Sequence, residues 1–230
     1  MFSRVFRLLT EDCDVNKNLR LSRLFQFLQE ISIADTERLG YPREKTLDKG
    51  LLWVVGKQHV EIKRLPVYGE EIRLETWPGE KTPFLFPRHY AIYGNNEEPL
   101  VKASAVWTLI SEQSRMMVNP KDHGIVIEGE ARGGEIPFQF PMKSFPLLGR
   151  AMLKASWRDC DLNGHMNNTA YLDEAEDLIP LEYLKSHVPS AIDIAYKKEI
   201  PLGEEVEVSY GNEGGVYVFS CPSFFLRLTF

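Results

Sequence analysis

The chain has 230 residues, of which 43% are apolar and 26% charged, a composition typical of a folded globular protein and not of a disordered one. Its formal net charge of −6 at pH 7 argues against a general nucleic-acid-binding protein, which needs a basic surface. The 3 cysteines are too few and too scattered for a disulfide framework, which favours a reducing compartment. Because the N-terminus lacks a signal peptide and no apolar run could cross a bilayer, we expect a cytoplasmic protein that is complete from its first residue.

Two short segments of the chain each occur twice. Asp-Cys-Asp, an apolar residue and Asn stand in this order at 12–16 and again at 159–163, an offset of 147 residues (161 − 14). Gly-Glu-Glu and an apolar residue stand at 69–72 and again at 203–206, an offset of 134 residues (203 − 69). Two matches in the same order predict a tandem duplication, with the second copy 13 residues shorter between its matched blocks (147 − 134).

In the first copy, a short strand is expected before the Asp-x-Asn turn, and a helix after it. Apolar residues between Leu21 and Ala34 recur at helical spacing, and Gly40 is a typical helix stop. Runs rich in β-branched and aromatic residues then predict strands at 52–55, 72–77 and 103–110.

Residues 121–146 contain many loop-forming residues and are predicted to be a connector. The loop-forming residues within it include Gly133, Gly134, Pro137 and Pro141. This division gives an N-terminal unit at 1–120 and a C-terminal unit at 147–230.

The second copy repeats the plan of the first. Asn168 or Thr169 is expected to cap a helix that ends before Pro180, and strands are predicted at 206–210 and 224–230. One helix followed by a run of strands in each copy predicts an α+β fold, with an antiparallel sheet wrapped on the helix.

The copies differ where polar side chains could do chemistry. His165 and Glu199 in the second copy stand where the first copy has Asn18 and Leu65. Because a duplicated fold needs only one working site, we expect the second copy to carry it.

A dense polar cluster precedes the second predicted helix. It comprises Asp161, Asn163, His165, Asn167 and Asn168. Helix capping alone explains Asn168 and in part Asn167, because Asn side chains bond local backbone amides. A calcium loop is poorly supported, since Met166 stands where that loop needs Gly and Leu172 where it needs Glu, so we expect no metal.

An acid/base site is the third interpretation of this cluster. Histidine titrates near neutral pH, and a carboxylate such as Glu199 can act as a general base. The start of the helix would offer backbone amides to an oxyanion. A nucleophile is less well supported: there is no Gly-x-Ser-x-Gly elbow, and Cys160 has a counterpart in Cys13, which favours a structural thiol.

The motif Asp-x-Asn-x-His-x-Asn-Asn-x-x-Tyr at 161–171, with Tyr-Lys-Lys-Glu at 196–199, resembles the fatty acyl-ACP thioesterases. This resemblance implies a tandem (double) hotdog fold, in which each half is a long helix wrapped by an antiparallel sheet. It also implies hydrolysis of acyl-ACP to free fatty acid in fatty acid biosynthesis. The catalytic set that it implies is Asp161, Asn163, His165 and Glu199.

Two departures from the family pattern carry information. Many plant members have Cys directly after the Glu, whereas this chain has Ile200, which excludes a Cys nucleophile at that position. A plant transit segment is not expected either, which favours a bacterial-type enzyme. The partner expected is acylated carrier protein, with no cofactor, no nucleic acid and no membrane, and a homodimer is left open.

The expected reaction is attack by water, with Glu199 as general base and His165 and Asn163 orienting the water and the thioester. Asp161 would fix the geometry of its neighbours. The acyl chain is expected between the helix and sheet of the first copy, with Leu28, Ile31, Trp53 and Val55 as candidate contacts. Basic candidates for the carrier protein are Lys63, Arg64, Lys197 and Lys198.

Three other functions fit the same sequence. An acyl-CoA thioesterase and a hotdog dehydratase would use the same fold, and the fold alone does not decide between them. An acyl-binding regulator would retain its ligand without turnover.

Overall fold

The computed structural model describes residues 1–80, 82–130, 132, 136 and 144–230. In these ranges the chain forms one ten-stranded sheet, three α-helices and five short 3-10 helices. The α-helices are α1 (Leu21–Arg38), α2 (Ala170–Glu176) and α3 (Leu181–Leu184). The strands are β1 (Phe2–Arg7), β2 (Leu51–Ile62), β3 (Glu71–Pro78), β4 (Phe86–Tyr93), β5 (Pro99–Ser111), β6 (Leu147–Lys154), β7 (Ala191–Tyr196), β8 (Glu205–Glu213), β9 (Val216–Ser220) and β10 (Phe224–Thr229).

The two halves of the sheet have the same strand order. The full order is β1-β3-β4-β5-β2-β7-β10-β9-β8-β6, and every neighbouring pair is antiparallel. Counted from its outer edge, each half places its first, third, fourth, fifth and second strands in turn. The equivalent strands β2 and β7 therefore meet at the centre, where Gln58 lies opposite Ile194 and Val60 opposite Ile192.

The duplication is also visible in isolated backbone bridges outside the strands. Cys13 pairs with Leu19, and 147 residues later Cys160 pairs with Met166. The bridge of Asn18 to Val67 recurs as the bridge between His165 and Pro201, in which the second partner is shifted by 134 residues (201 − 67). Both offsets are those predicted from the sequence, so the repeated sequence blocks form the same local structure.

Helix α1 has the predicted buried face and the predicted end. Leu24, Leu28 and Ile31 are fully buried against the sheet. The helix ends at Arg38 with Leu39 as its C-cap, and the next residue, Gly40, has φ +94°, a conformation that glycine adopts without steric cost.

The second helix is much shorter than the first, and the expectation of two long helices is wrong in this respect. Helix α2 has 7 residues against 18 in α1. The 13-residue shortening falls in the interval between the two matched blocks, and this helix lies in that interval. Pro180 prevents the helix from continuing, because proline lacks an amide hydrogen. Thr169 occupies the N-cap position, but its side chain forms no cap hydrogen bond, so the predicted capping by Asn168 or Thr169 is not seen.

A buried ionic cluster lies at the seam between the two halves. Nδ1 of His59 on β2 is 2.7 Å from Oδ1 of Asp193 on β7, and Arg227 on β10 donates to Oδ2 of Asp193 at 2.6 and 3.1 Å. Burial acts to raise the pKa of Asp193, but the contacts with His59 and Arg227 outweigh it, so the pKa is lowered. The contact between His59 and Asp193 thus joins the two copies.

The predicted connector is described only in part. Between Ser111 and Leu147 the described residues contain no strand, while Gly133, Gly134, Pro137 and Pro141 lie outside the described residues. Ile125 and Ile127 are buried beside Leu51 and Leu109, so the start of the connector packs on the N-terminal half. The division at residues 120 and 147 stays a prediction. No helix within the described ranges is long and apolar enough to cross a membrane.

Candidate active site

The Asp-x-Asn turn of the second copy is fixed by its own aspartate. Oδ1 of Asp161 accepts the amide of Asn163 at 2.8 Å, and the amide of Asp161 donates to the carbonyl of His165 at 2.9 Å. Gly164, with φ +76°, closes the turn and donates to the carbonyl of Asp161 at 3.0 Å. One carboxylate oxygen of Asp161 is therefore committed to shaping the turn.

The segment just before the second matched block, which contains Glu199, lies beside His165, although the two residues are distant in sequence. The amide of Met166 donates to the carbonyl of Ile200 at 2.8 Å, and His165 forms a backbone bridge with Pro201. As a result, Nε2 of His165 lies 3.7 Å from Oε2 of Glu199. This distance is longer than a direct hydrogen bond. A shared water molecule, or a small movement of either side chain toward the other, would connect the two groups.

His165 and Glu199 differ in their exposure. The His165 side chain is 26% exposed and that of Glu199 is 44% exposed, so the carboxylate reaches further toward solvent. Nδ1 of His165 is buried and has no hydrogen-bond partner among the described residues. It lies in the ring that faces Glu199.

The remaining predicted residues lie beside this pair. Nδ2 of Asn163 is 3.5 Å from Oδ2 of Asp161, a weak contact, and the Asn163 side chain is exposed. Its amide is therefore available to a bound molecule. The structure thus brings Asp161, Asn163, His165 and Glu199 into one locality.

The start of α2 does not offer the free amides that were expected for an oxyanion. The amide of Asn167 donates to Asp159 at 2.7 Å, that of Thr169 to Oδ1 of Asn167 at 2.9 Å, and that of Ala170 to the carbonyl of Asn167 at 3.0 Å. The expectation is wrong for these three amides, because the local turn already uses them. Asn167 is the residue that caps this turn.

The cysteine next to the cluster is poorly suited to nucleophilic chemistry. Partial burial of the Cys160 thiol, with the carboxylates of Asp159 and Asp161 nearby, raises its pKa and disfavours the thiolate. Ile200 is 1% exposed and packs in the main core.

Arg115 is a site residue that the sequence analysis missed. It lies on the turn after β5, in the N-terminal half, and its Nη2 forms an ion pair with Oε1 of Glu199. The turn has no periodic sequence pattern, so the sequence alone gave no indication that Arg115 belongs to the site.

A cavity of about 370 Å³ connects the N-terminal half to this cluster. It lies between α1 and the strands β2, β4 and β5, and from the second copy Asp161, Asn163 and Glu199 reach it. Its apolar and aromatic lining includes Ile33, Leu51, Leu52, Trp53, Phe86 and Trp107.

One of the four candidate acyl contacts lines the cavity. Trp53 does so, and its ring packs edge-on against Phe86 with centroids 5.1 Å apart. Leu28 and Ile31 are fully buried in the main core, and Val55 packs against that core, so these three residues do not line this cavity. Helical spacing identifies the buried face of α1 but cannot tell a core contact from a cavity wall.

The cavity wall contains a buried ion pair. Nη1 of Arg88 on β4 donates to Oδ2 of Asp35 on α1 at 2.7 Å, and Arg38 donates to Oδ1 at 2.7 and 2.9 Å. Asp35 is fully buried and Arg88 is 5% exposed. The pair therefore links the helix to the sheet at the side of the cavity.

The four basic candidates for a carrier protein differ in their surroundings. Lys63 is paired with Glu98 and Arg64 with Glu70, so acidic neighbours already neutralise these two. Lys197 and Lys198 are exposed and directly precede Glu199. These two lysines lie nearest the site in sequence.

A second, larger cavity of about 580 Å³ lies between the start of α1 and the helices α2 and α3, and Glu176 is one of its lining residues. Burial, with further contributions from Asp173 and Asp14, raises the pKa of Glu176 to about 8. The predicted site residues do not line this cavity. In the described ranges, no three His, Cys, Asp or Glu side chains are grouped so as to hold a metal ion.

Comparison with known families identifies both halves of the chain. The family model described as the acyl-ACP thioesterase N-terminal domain matches residues 1–125, and the model of the acyl-ACP thioesterase C-terminal domain matches residues 149–220. The second match contains the cluster at 161–165 and Glu199.

Two plant proteins are among the relatives. A chloroplastic palmitoyl-acyl carrier protein thioesterase from Gossypium hirsutum is 26% identical over 224 residues, covering 86% of this chain and 52% of the relative. A chloroplastic oleoyl-acyl carrier protein thioesterase from Coriandrum sativum is 24% identical over 219 residues, covering 84% of this chain and 58% of the relative. The chain spans about half the length of the plant relatives that it matches.

Two solved structures have the same fold over nearly the whole chain. An acyl-ACP thioesterase from Bacteroides thetaiotaomicron superimposes with a TM-score of 0.86 at 20% identity, covering 99% of this chain and 96% of that one. A 12:0-ACP thioesterase from Umbellularia californica gives a TM-score of 0.84 at 18% identity, with coverage of 99% and 96%. The double hotdog expected from the sequence is confirmed.

Proposed function

Because the chain belongs to the acyl-ACP thioesterase family, we propose that it hydrolyses acyl-[acyl-carrier-protein] to free fatty acid and carrier protein in fatty acid biosynthesis. The observation that carries this proposal is the placement of Glu199, which lines the cavity of the N-terminal half and lies 3.7 Å from His165. An acid/base pair beside a largely apolar cavity suits a substrate with an acyl chain and a reactive end.

The proposed reaction is direct attack by water. Glu199 takes a proton from the water as its oxygen bonds to the thioester carbon, and a tetrahedral oxyanion forms. The carbon–sulfur bond then breaks, and the carrier thiolate leaves and takes up the proton that Glu199 had accepted, which restores the carboxylate. His165 orients the water, which would bridge the 3.7 Å between its ring and Glu199.

Asn163 and Asp161 have supporting roles in this proposal. The exposed amide of Asn163 donates to the thioester carbonyl, because its contact with Asp161 at 3.5 Å is too weak to compete. Asp161 keeps the turn closed through its bond to the amide of Asn163. Three amides at the start of α2 are already bonded within the turn, and the exposed Asn163 side chain is therefore the donor proposed for the oxyanion.

The acyl chain occupies the cavity of about 370 Å³, with Trp53 and Phe86 along its wall. Burial of each methylene contributes about 0.8 kcal/mol, so the cavity's length sets which chain binds best. The carrier protein docks outside, near Lys197 and Lys198, whose charges attract an acidic partner. The expected site of action is the cytoplasm.

The test is release of free fatty acid from acyl-ACPs of different chain lengths, with the matched acyl-CoAs assayed in parallel. Chain-length-dependent turnover that is faster on acyl-ACP supports the proposal. Equal or faster turnover of acyl-CoA would make the protein an acyl-CoA thioesterase. Hydration of enoyl thioesters without hydrolysis would make it a dehydratase, and tight binding without turnover would make it an acyl-binding protein.

A further inference from the structure

We infer that Arg115 is a positioning residue, which orients the carboxylate of Glu199 for catalysis; this inference rests on the proposed function. The guanidinium of Arg115 pairs with Oε1 of Glu199, while Oε2 faces Nε2 of His165 at 3.7 Å. Each carboxylate oxygen thus has one cationic or polar neighbour. The oxygen that faces His165 is the one left for the attacking water.

The turn that carries Arg115 is tied to the end of a core strand. The amide of Arg115 donates to the carbonyl of Ser111 at 2.8 Å, and the amide of Ser111 donates to the carbonyl of Met116 at 2.9 Å. The amide of Val118 returns to Leu109 on β5 at 3.0 Å. Because this backbone is closed by three hydrogen bonds, the guanidinium is delivered from a defined point and not from a loose loop.

Arg115 has a backbone conformation that is unfavourable for residues other than glycine. Its φ is +57°, in the left-handed region, where a Cβ is crowded and glycine is unstrained. Glycine at this position would close the turn more easily, so the turn itself does not require arginine. Non-glycine residues in this region concentrate at functional sites.

The ion pair acts on geometry more than on stability. The Arg115 side chain is 35% exposed and that of Glu199 is 44% exposed, and pairs this exposed contribute little to folding. A half-exposed glutamate is otherwise free to change rotamer, and the planar guanidinium restricts its carboxylate to one orientation. The contact also crosses the duplication, because Arg115 belongs to the first copy and Glu199 to the second, so the site is completed by both halves.

The decisive variant is Arg115→Gly, because it removes the side chain and relieves the left-handed backbone at once. We expect it to melt within a few degrees of the wild-type protein, while kcat on acyl-ACP falls about 10–100-fold and KM changes less than about threefold. Arg115→Lys keeps a positive charge and should recover about tenfold of that loss. The matched control is Arg150→Ala, which breaks an exposed ion pair with Glu207 on the far edge of the sheet and should leave kcat unchanged.

A double variant separates a positioning role from a direct one. In a Glu199→Gln background, Arg115→Gly should cause little further loss of kcat, because the carboxylate that it orients is gone. An equal loss in both backgrounds would mean that Arg115 acts on the substrate and would overturn the inference. Unchanged kcat for Arg115→Gly in a wild-type enzyme that does hydrolyse acyl-ACP would also overturn it, whereas a wild-type protein without hydrolysis would instead contradict the proposed function.

Discussion

Asn18 and His165 occupy the same position in the two copies of the fold. Each forms a backbone bridge to the second matched block, Asn18 to Val67 and His165 to Pro201. Their carbonyls accept the equivalent amides, of Asp14 at 2.8 Å and of Asp161 at 2.9 Å. The backbone is thus the same, and only the side chains decide which copy can do acid/base chemistry.

This equivalence provides a matched pair of variants. His165→Ala should lower kcat on acyl-ACP by about 10²–10⁴, the usual contribution of an acid/base group. Asn18→Ala makes the same kind of truncation at the equivalent position and should leave kcat unchanged. Steady-state kinetics on one acyl-ACP checks both, and a comparable loss in the two variants would mean that the effect comes from folding and not from chemistry.

The repeated turns could be predicted from the sequence because they depend on local chemistry. Lys17 and Gly164 both have positive φ in the turn that Asp14 or Asp161 closes, and the same aspartate-to-amide bond recurs at 2.8 Å. Such turns are encoded within about five residues, so matching letters predict matching structure. His165 and Glu199 were expected to share a site because both occur only in the second copy and because the family resemblance implied it.

The parts that could not be predicted depend on contacts across the chain. The pairing of Arg115 with Glu199 joins the two copies, and no periodicity in either segment indicates it. The short α2 follows from a deletion whose place between the matched blocks was not readable. Whether Leu28 or Trp53 lines the cavity depends on how far the helix stands from the sheet, which apolar spacing does not report.

The acyl cavity predicts a change in chain-length preference. Trp53→Val removes a large ring from the cavity wall and should move the preferred acyl-ACP toward longer chains. Each methylene accommodated contributes about 0.8 kcal/mol, so selectivity should change by about fourfold per carbon, or about fifteenfold per carbon pair. Val55→Ala on the same strand packs against the core instead and should lower the melting temperature without changing the order of preference. If Trp53→Val kept the wild-type order of acyl-ACP preference, as Val55→Ala is expected to do, the acyl chain would have to bind elsewhere.

The buried pair of Asp35 and Arg88 predicts a large stability effect. Asp35→Asn keeps the side-chain size but leaves the arginine with an uncompensated buried charge, which should cost about 3–5 kcal/mol of unfolding free energy. Asp48→Asn breaks the exposed ion pair with Arg43 and should change the unfolding free energy far less. Urea denaturation measures both, and similar small effects would show that the buried pair does not stabilise the contact between α1 and the sheet.

Glu176 predicts a pH-dependent stability. Its pKa is raised from its usual 4.5 to about 8, so the folded protein retains a proton that the unfolded chain has already released between those values. Stability therefore falls as pH rises from about 4.5 to 8, and below 4.5 the penalty is absent because both states are protonated. Glu176→Gln should remove this fall and stabilise the protein by about 2–4 kcal/mol at pH 8 and above.

The pH series separates this effect from a general gain in packing. Urea denaturation at intervals from pH 5 to about 9 should show a gain for Glu176→Gln that grows with pH and levels off above about 8. Glu182→Gln, on the exposed side of α3, is the control. A gain in stability that is the same at every pH would contradict the conclusion that the raised pKa of Glu176 causes the pH dependence.

The most direct measurement is fatty acid release from acyl-ACP by the wild-type protein and by Glu199→Ala, with the melting temperature of each recorded. The proposed mechanism predicts that the variant melts like the wild type, because Glu199 is 44% exposed and outside the core, while kcat falls by about 10²–10⁴. Near-normal turnover by a folded Glu199→Ala variant would contradict the central claim that this carboxylate activates the attacking water.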